Sequence, residues 1–281
     1  MLRDTGRVSR SFLAHDGALI AVQALLVVLP GAGVPAWIAR LRRGAWALVL
    51  PLSIVVVIAA IELVPDTADA LTWLALIAVP LLAAAALGWA MRGARPWLAA
   101  LAAALLAVAW NDQGGLAGQS ATLALEALSC VTLGRLLAGV APARLLKLGI
   151  VVMAIVDAIL VFSHGLHAPN AVLNAAVPGP GLPQLQFVHL GDVSFGYGDL
   201  FVAAVLGAVL AVEGRRTAPV ALLTFVLAAA FDLLFLVTNE LPATVPVACA
   251  MLLSDAWRLH RPAARSSPDV VDDTGARAVV S

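Results

Sequence analysis

Apolar residues along this chain come in long unbroken runs, with polar residues gathered in the gaps between them. The runs cover 17–39, 44–64, 70–91, 96–110, 116–140, 144–163, about 194–213, 218–238 and 241–257. A membrane-crossing helix needs roughly 20 apolar residues, so the pattern predicts nine candidate spans. The first is interrupted by Pro30-Gly31-Ala32-Gly33-Val34-Pro35. None of the runs alternates with period two, and in lipid every backbone polar group must be satisfied within the structure. Helices therefore fit and a β-barrel does not. The expected fold is an all-α, polytopic membrane helix bundle of about nine transmembrane helices. It divides into an N-terminal extramembrane segment (1–16), a five-span bundle (17–140), a second bundle of spans six to nine (141–260) and a disordered cytoplasmic tail (261–281). The polar stretch 164–189 within the second bundle reads as an external loop. Arg3, Arg7 and Arg10 before Ala18–Leu29 imitate a signal peptide. The apolar run continues through Trp37 to Arg40-Leu41-Arg42-Arg43, a stop-transfer flank.

Composition sharpens this reading. Of 281 residues, 62% are hydrophobic and 12% charged, about half the charge of an ordinary soluble domain, and mean hydropathy is +0.98. That excludes a soluble globular enzyme and a disordered protein. Seventeen basic residues balance seventeen acidic ones, which excludes a basic nucleic-acid binder. Any chemistry therefore belongs inside the membrane. Cys130 and Cys249 both lie in apolar surroundings and read as small buried hydrophobes. No CxxC or Cys/His ligand spacing is present, and the carboxyl-pair chemistry described below needs neither metal nor organic cofactor. Sixteen arginines against the single Lys147, with abundant Ala, point to a GC-rich bacterial genome and hence to a bacterial plasma membrane.

The placement of basic residues gives orientation. Arg40, Arg42 and Arg43 follow span one, Arg92 and Arg95 span three, Arg144 and Lys147 span five, Arg215 and Arg216 span seven. Arg258, Arg261 and Arg265 flank the C-terminal end. The loops after spans two, four, six and eight carry none. Cytoplasmic loops collect positive charge, so the C-terminus is expected inside and the 164–189 loop outside. Nine crossings put the N-terminus outside despite its arginines, whereas a first run that bends back at Pro30–Pro35 leaves it inside.

Ionisable groups at membrane depth are costly and mark function by default. Glu62 lies near the end of its run and reads as an interfacial carboxylate. Glu126 and Arg135 share a run but are nine residues apart, too far for a helical i,i+4 pair. Glu126 reads as a structural polar partner, and Asp232 as a helix-packing hydrogen bond, a group that supports a neighbouring site residue, or a proton relay. Asp157 and Asp199 differ. Asp157 sits in the middle of Ile155-Val156-Asp157-Ala158-Ile159, and Asp199 ends Gly196-Tyr197-Gly198-Asp199 at the start of a run. Two glycines without Cβ bulk let a neighbouring helix or an extended backbone come close. Two carboxyls a few ångströms apart cannot both ionise. One then keeps a proton and the other does not, the arrangement that activates water on a peptide carbonyl. A third piece, Leu241-Pro242-Ala243-Thr244-Val245-Pro246, starts the last run, where proline costs little and stiffens the approach.

Together, an Asp in span six, an intact GxGD in span seven and a Pro-Ala-Leu-like start to span nine resemble the presenilin and signal peptide peptidase family of intramembrane aspartyl proteases. The resemblance covers roughly 145–257, including the Leu-Phe-Val-Ala-Ala-Val-Leu-Gly continuation after Asp199; spans one to five match only in number and length. Val156 stands where the family usually has tyrosine, and Pro242-Ala243-Thr244 replaces Pro-Ala-Leu. The resemblance implies Asp157 and Asp199 as the catalytic pair. Gly196, Tyr197 and Gly198 would then admit the substrate strand, and Pro242, Ala243 and Thr244 would hold it by main-chain hydrogen bonds. Substrates would be transmembrane or signal-peptide-like helices, unwound locally, and the orientation derived above is similar to that of signal peptide peptidases. Two other readings stay open: a prepilin-peptidase-like GxGD enzyme, and a proton-coupled transporter relaying through Glu126, Asp157, Asp199 and Asp232.

Overall fold

The computed structural model describes residues 10–64, 66–163, 165, 167–191, 193–236 and 241–260; Arg3, Arg7 and the 261–281 tail lie outside them. In chain order the elements are α1 (Arg10–Leu26), α2 (Ala36–Ala39), α3 (Val49–Leu63), α4 (Thr67–Ala85), α5 (Ala100–Asn111), α6 (Leu116–Val140), α7 (Ala143–Phe162), α8 (His167–Ala175), β1 (Phe187–Leu190), β2 (Val193–Gly196), α9 (Tyr197–Val212), α10 (Ala218–Asp232) and α11 (Thr244–His260). Each apolar run holds one principal helix. Including the 3₁₀ turn before α3 and the wider π-helical turn after α4, four helices among the described residues are long and apolar enough to cross a membrane: Gly44–Leu63, Thr67–Ala90, Leu116–Val140 and Ala143–Phe162. The apolar helices His15–Leu26, Pro96–Asn111, Tyr197–Val212 and Ala218–Asp232 are shorter.

The interrupted first run is explained by its backbone partners. α1 begins at Arg10, ahead of the run, and stops at Leu26 before the Pro30–Pro35 break. Beyond it the chain is held by neighbours: Gly31 N–H donates to Ala90 O at 2.9 Å and Arg92 N–H to Leu29 O at 2.8 Å. Arg135 of α6 donates to the carbonyls of Gly33, Trp89 and Ala32 while stacking 4.2 Å over the Trp89 ring. The break lies at one end of the bundle and is largely exposed, and these contacts fix its path there. Arg135 is thus engaged with the break and not with Glu126. The 164–189 stretch is also more structured than a loop: it contains α8 and leads into the antiparallel β1–β2 hairpin, whose Val188 and Leu190 are buried in the core.

α9 is the axis of the bundle. Every residue from Leu200 to Leu210 is buried, as expected for a helix that is apolar all round. Its close neighbours are α6, α1, α7 and α11. Two glycines make the closest approaches possible. A Cβ on Gly207 would fall 2.6 Å from Val27 O, and one on Gly134 would fall 2.8 Å from Ala204 O. G207A should therefore lower stability by about 1–3 kcal/mol through overpacking against rigid backbone. At Gly17 of α1 nothing lies within 4 Å of an added Cβ, so G17A should gain up to ~1 kcal/mol of helix propensity. Thermal unfolding in detergent should move the two variants in opposite directions.

The two ends of the bundle differ. At one, Lys147 pairs with Glu213 at 2.8 Å and Asp255 at 3.0 Å, and Arg215 pairs with the same two carboxylates. This joins the start of α7 to the ends of α9 and α11. Pro30 bridges Met91 there, and Arg43 N–H donates to Val140 O. The basic loops after the first, third, fifth and seventh runs therefore converge on one face. At the opposite end Gly191, in the hairpin turn, donates to Gln119 of α6 and crowds His15 of α1, while Gln113 donates to Gly181 O. Exposed tryptophans occur at both ends: Trp37, Trp46, Trp97 and Trp257 at the charged one, Trp73 and Trp110 at the other. That is the distribution of membrane-interface belts.

Candidate active site

The site forms where α9 begins, inside the bundle. Extended backbone in β2 runs to Gly196 (φ −76°, ψ 149°) and helix starts at Tyr197. Asp199 is then the third helical residue, and its Oδ2 accepts from Gly196 N–H at 3.1 Å. An acid in the first turn meets both a free N–H and the positive end of the helix dipole. Gly198 fits against Met153 of α7, 3.2 Å from where a Cβ would stand. Met153 is one turn from Asp157, so the glycine lets the aspartate-bearing face of α7 lie close to the start of α9.

Asp157 is buried and Asp199 half-buried, and the two carboxyls lie within Coulombic reach of one another. Thr244 closes the third side. Its Oγ1 donates to Asp157 Oδ2 at 2.6 Å, and its backbone N–H donates to the same carboxyl. Thr244 is the first residue of α11, so Asp157 caps that helix from outside. Pro246, in the same first turn, has no N–H to leave unmet. The pair is thus flanked by the N-termini of α9 and α11, each with about half a positive charge. Those two ends can hold one negative charge shared by the two carboxyls, and hold it where water is scarce.

Asp157, Asp199, Gly196, Gly198 and Thr244 therefore come together. Tyr197 belongs to the same turn but its side chain points into α6, with its hydroxyl 2.8 Å from Ser129 Oγ. It tethers α9 to α6. Pro242 and Ala243 precede Thr244, and the Ala243 carbonyl accepts from the Gln23 amide at 3.0 Å. Gln23 of α1 also donates to Asp199 O at 3.2 Å, a contact that attention to ionisable groups alone passes over. Its signal was one amide side chain within an apolar run.

The other carboxylates lie apart from this centre. Asp232 lies close to Asp16 of α1, a second carboxyl pair. Asp16 lies two helical turns from Gln23, about 10 Å along α1 toward the hairpin end. Glu126 is fully buried in α6, and neither carboxylate oxygen has a hydrogen-bond partner among the described residues. Glu62 is exposed near the end of α3. Cys130 is buried as expected, but Cys249 is exposed on α11: apolar neighbours in sequence placed it on an outward-facing position of the helix. Partial desolvation holds His189 of the hairpin below its ordinary pKa, although its side chain reaches the surface.

No protein-family model, no curated protein and no solved structure matches the chain.

Proposed function

We propose that this chain is an intramembrane aspartyl protease that hydrolyses peptide bonds of transmembrane helical substrates. The observation that carries the reading is the Asp157–Asp199 pair enclosed by Gly196, Gly198 and Thr244 at the inner end of two helices. Asp157 accepts from both the hydroxyl and the N–H of Thr244, whereas Asp199 accepts from Gly196 alone among the contacts described. Hydrogen bonds to a carboxylate favour its charged form. The negative charge of the pair accordingly rests on Asp157 and the shared proton on Asp199.

The reaction follows from that assignment. A water between the carboxyls gives a proton to Asp157 as its oxygen bonds to the scissile carbonyl carbon. Asp199 hydrogen-bonds the carbonyl oxygen and transfers its proton to it, giving a neutral tetrahedral diol. Asp157 then returns its proton to the amide nitrogen, the C–N bond breaks, and a hydroxyl proton goes back to Asp199 as the new carboxyl forms. A helical substrate hides its peptide carbonyls, so it must be extended locally. The two-stranded β1–β2 hairpin ends at Gly196, and an extended substrate segment would take main-chain partners from its edge. The Pro242-Ala243-Thr244 segment is the complementary wall, with Pro242 and Ala243 nearest the substrate and the Thr244 side chain committed to Asp157.

Depth supports this reading over cleavage at the cytoplasmic surface. Ten residues separate Asp157 from Lys147 and fourteen separate Asp199 from Glu213, which is on the order of 15–20 Å along the helices in an apolar core about 30 Å thick. The same placement supports nine crossings. The start of α1 beside the hairpin and the break beside Met91 lie at opposite ends, which supports a first run that crosses and an N-terminus outside. A reporter fused after Ala264 should read cytoplasmic. N174C, on the exposed surface of α8, should be labelled by an impermeant thiol reagent from outside. Labelling from the cytoplasmic side only would invert the orientation, and with it the preference for substrates with cytoplasmic N-termini.

The deciding experiment is cleavage of a helical reporter by purified protein in detergent, read as peptide products by mass spectrometry and blocked by aspartyl-protease transition-state inhibitors. The second carboxyl pair, Asp16–Asp232, is the observation favouring a proton-coupled transporter instead. Proton-driven uptake in vesicles with no peptide product would establish that reading.

A further inference from the structure

Gln23 of α1 has no part in the chemistry above, yet it touches both segments that build the site. Its side chain is buried, and its Nε2 donates to Asp199 O at 3.2 Å and to Ala243 O at 3.0 Å. A primary amide carries two N–H bonds, one for each carbonyl. We infer that Gln23 is a positioning residue for the reaction proposed above, on which this inference rests: it fixes the gap between the GxGD turn and the Pro-Ala-Thr segment. The Ala243–Thr244 peptide supplies the mechanical link. In a planar trans peptide the C=O and the following N–H point in opposite directions. With Ala243 C=O drawn to Gln23, Thr244 N–H is aimed away from α1 and at Asp157, which it meets. The other N–H of the amide holds the backbone of Asp199 itself. One side chain on α1 thereby sets where each carboxyl of the pair stands relative to the other.

The test uses Q23M, which keeps the length of the side chain and loses both donors, in the full-length protein. The expected result is a kcat lower by about 10- to 100-fold, the cost of a small misplacement of reacting groups, with KM within about twofold of wild type. Backbone hydrogen exchange at Thr244 and Val245 should be faster. A kcat per inhibitor-titrated site equal to wild type, or unchanged exchange at those two amides, overturns the inference. If Q23M does not accumulate in the membrane, Q23N is read in the same way, because its shorter side chain must release one carbonyl. D199N serves as the parallel arm. An inactive D199N beside a fully active Q23M with native exchange removes the role of Gln23 and leaves the protease reading standing. An active D199N beside fast exchange in Q23M removes the Asp157–Asp199 mechanism and leaves the clamp.

Discussion

Asp157→Asn and Asp199→Asn are each expected to abolish reporter cleavage, by at least about 10⁴-fold, the upper range for removing a general acid or base. Asn keeps the size of the side chain and can still meet Thr244 or Gly196, so the bundle should stay folded and in the membrane. It cannot exchange the proton that the reaction moves twice. The two residues act as a unit, so the double variant should be no worse than either single one. Asp232→Asn and Asp16→Asn supply the contrast. They alter a carboxyl pair of the same chemical type, but one that lies toward the hairpin end and away from Gly196 and Thr244. Both should keep cleavage within about tenfold of wild type. If Asp232→Asn is as inactive as Asp199→Asn, the catalytic pair has been misassigned.

The sequence made some of this legible and not the rest, for physical reasons. Apolar runs long enough to cross lipid can only be helices, so each run became one. The Pro30–Pro35 break was visible because proline and glycine act locally. Gly196-Tyr197-Gly198-Asp199 was legible for the same reason: two missing Cβ atoms and a first-turn acid are properties of four adjacent residues. The partners were not legible. Thr244 meets Asp157 across 87 positions of sequence, and Gln23 reaches Ala243 across 220. Such pairings are set by how helices pack around α9, which no local pattern encodes. Tyr197 shows the limit in the other direction. It lies inside the motif, yet its hydroxyl is taken by Ser129 of α6. Asp16, in a polar stretch ahead of the first apolar run, gave no sign of its partner Asp232. The hairpin was missed because two four-residue strands next to glycines read as loop.

Thr244→Val should lower kcat by about 10- to 100-fold, and Thr244→Ser should stay within about threefold of wild type. The Thr244 hydroxyl donates to Asp157 Oδ2 in a buried setting, and Val has the same shape without the donor. Hydrogen bonds to charged groups are worth about 1.5–3 kcal/mol, and a buried acceptor left unmet costs a similar amount. The backbone N–H of Thr244 remains in place in both variants, so Asp157 keeps one of its two donors and the loss should fall short of that in Asp157→Asn. Serine restores the hydroxyl and lacks only a methyl group, so its near-normal rate would attribute the Val defect to the hydrogen bond and not to packing of α11. The measurement is kcat and KM for the helical reporter, normalised to inhibitor-titrated sites. A Val variant with wild-type kcat and raised KM would instead place the Thr244 side chain on the substrate. Asp157 would then carry its charge without help from that hydroxyl, and the assignment of base and acid within the pair would lose its main support.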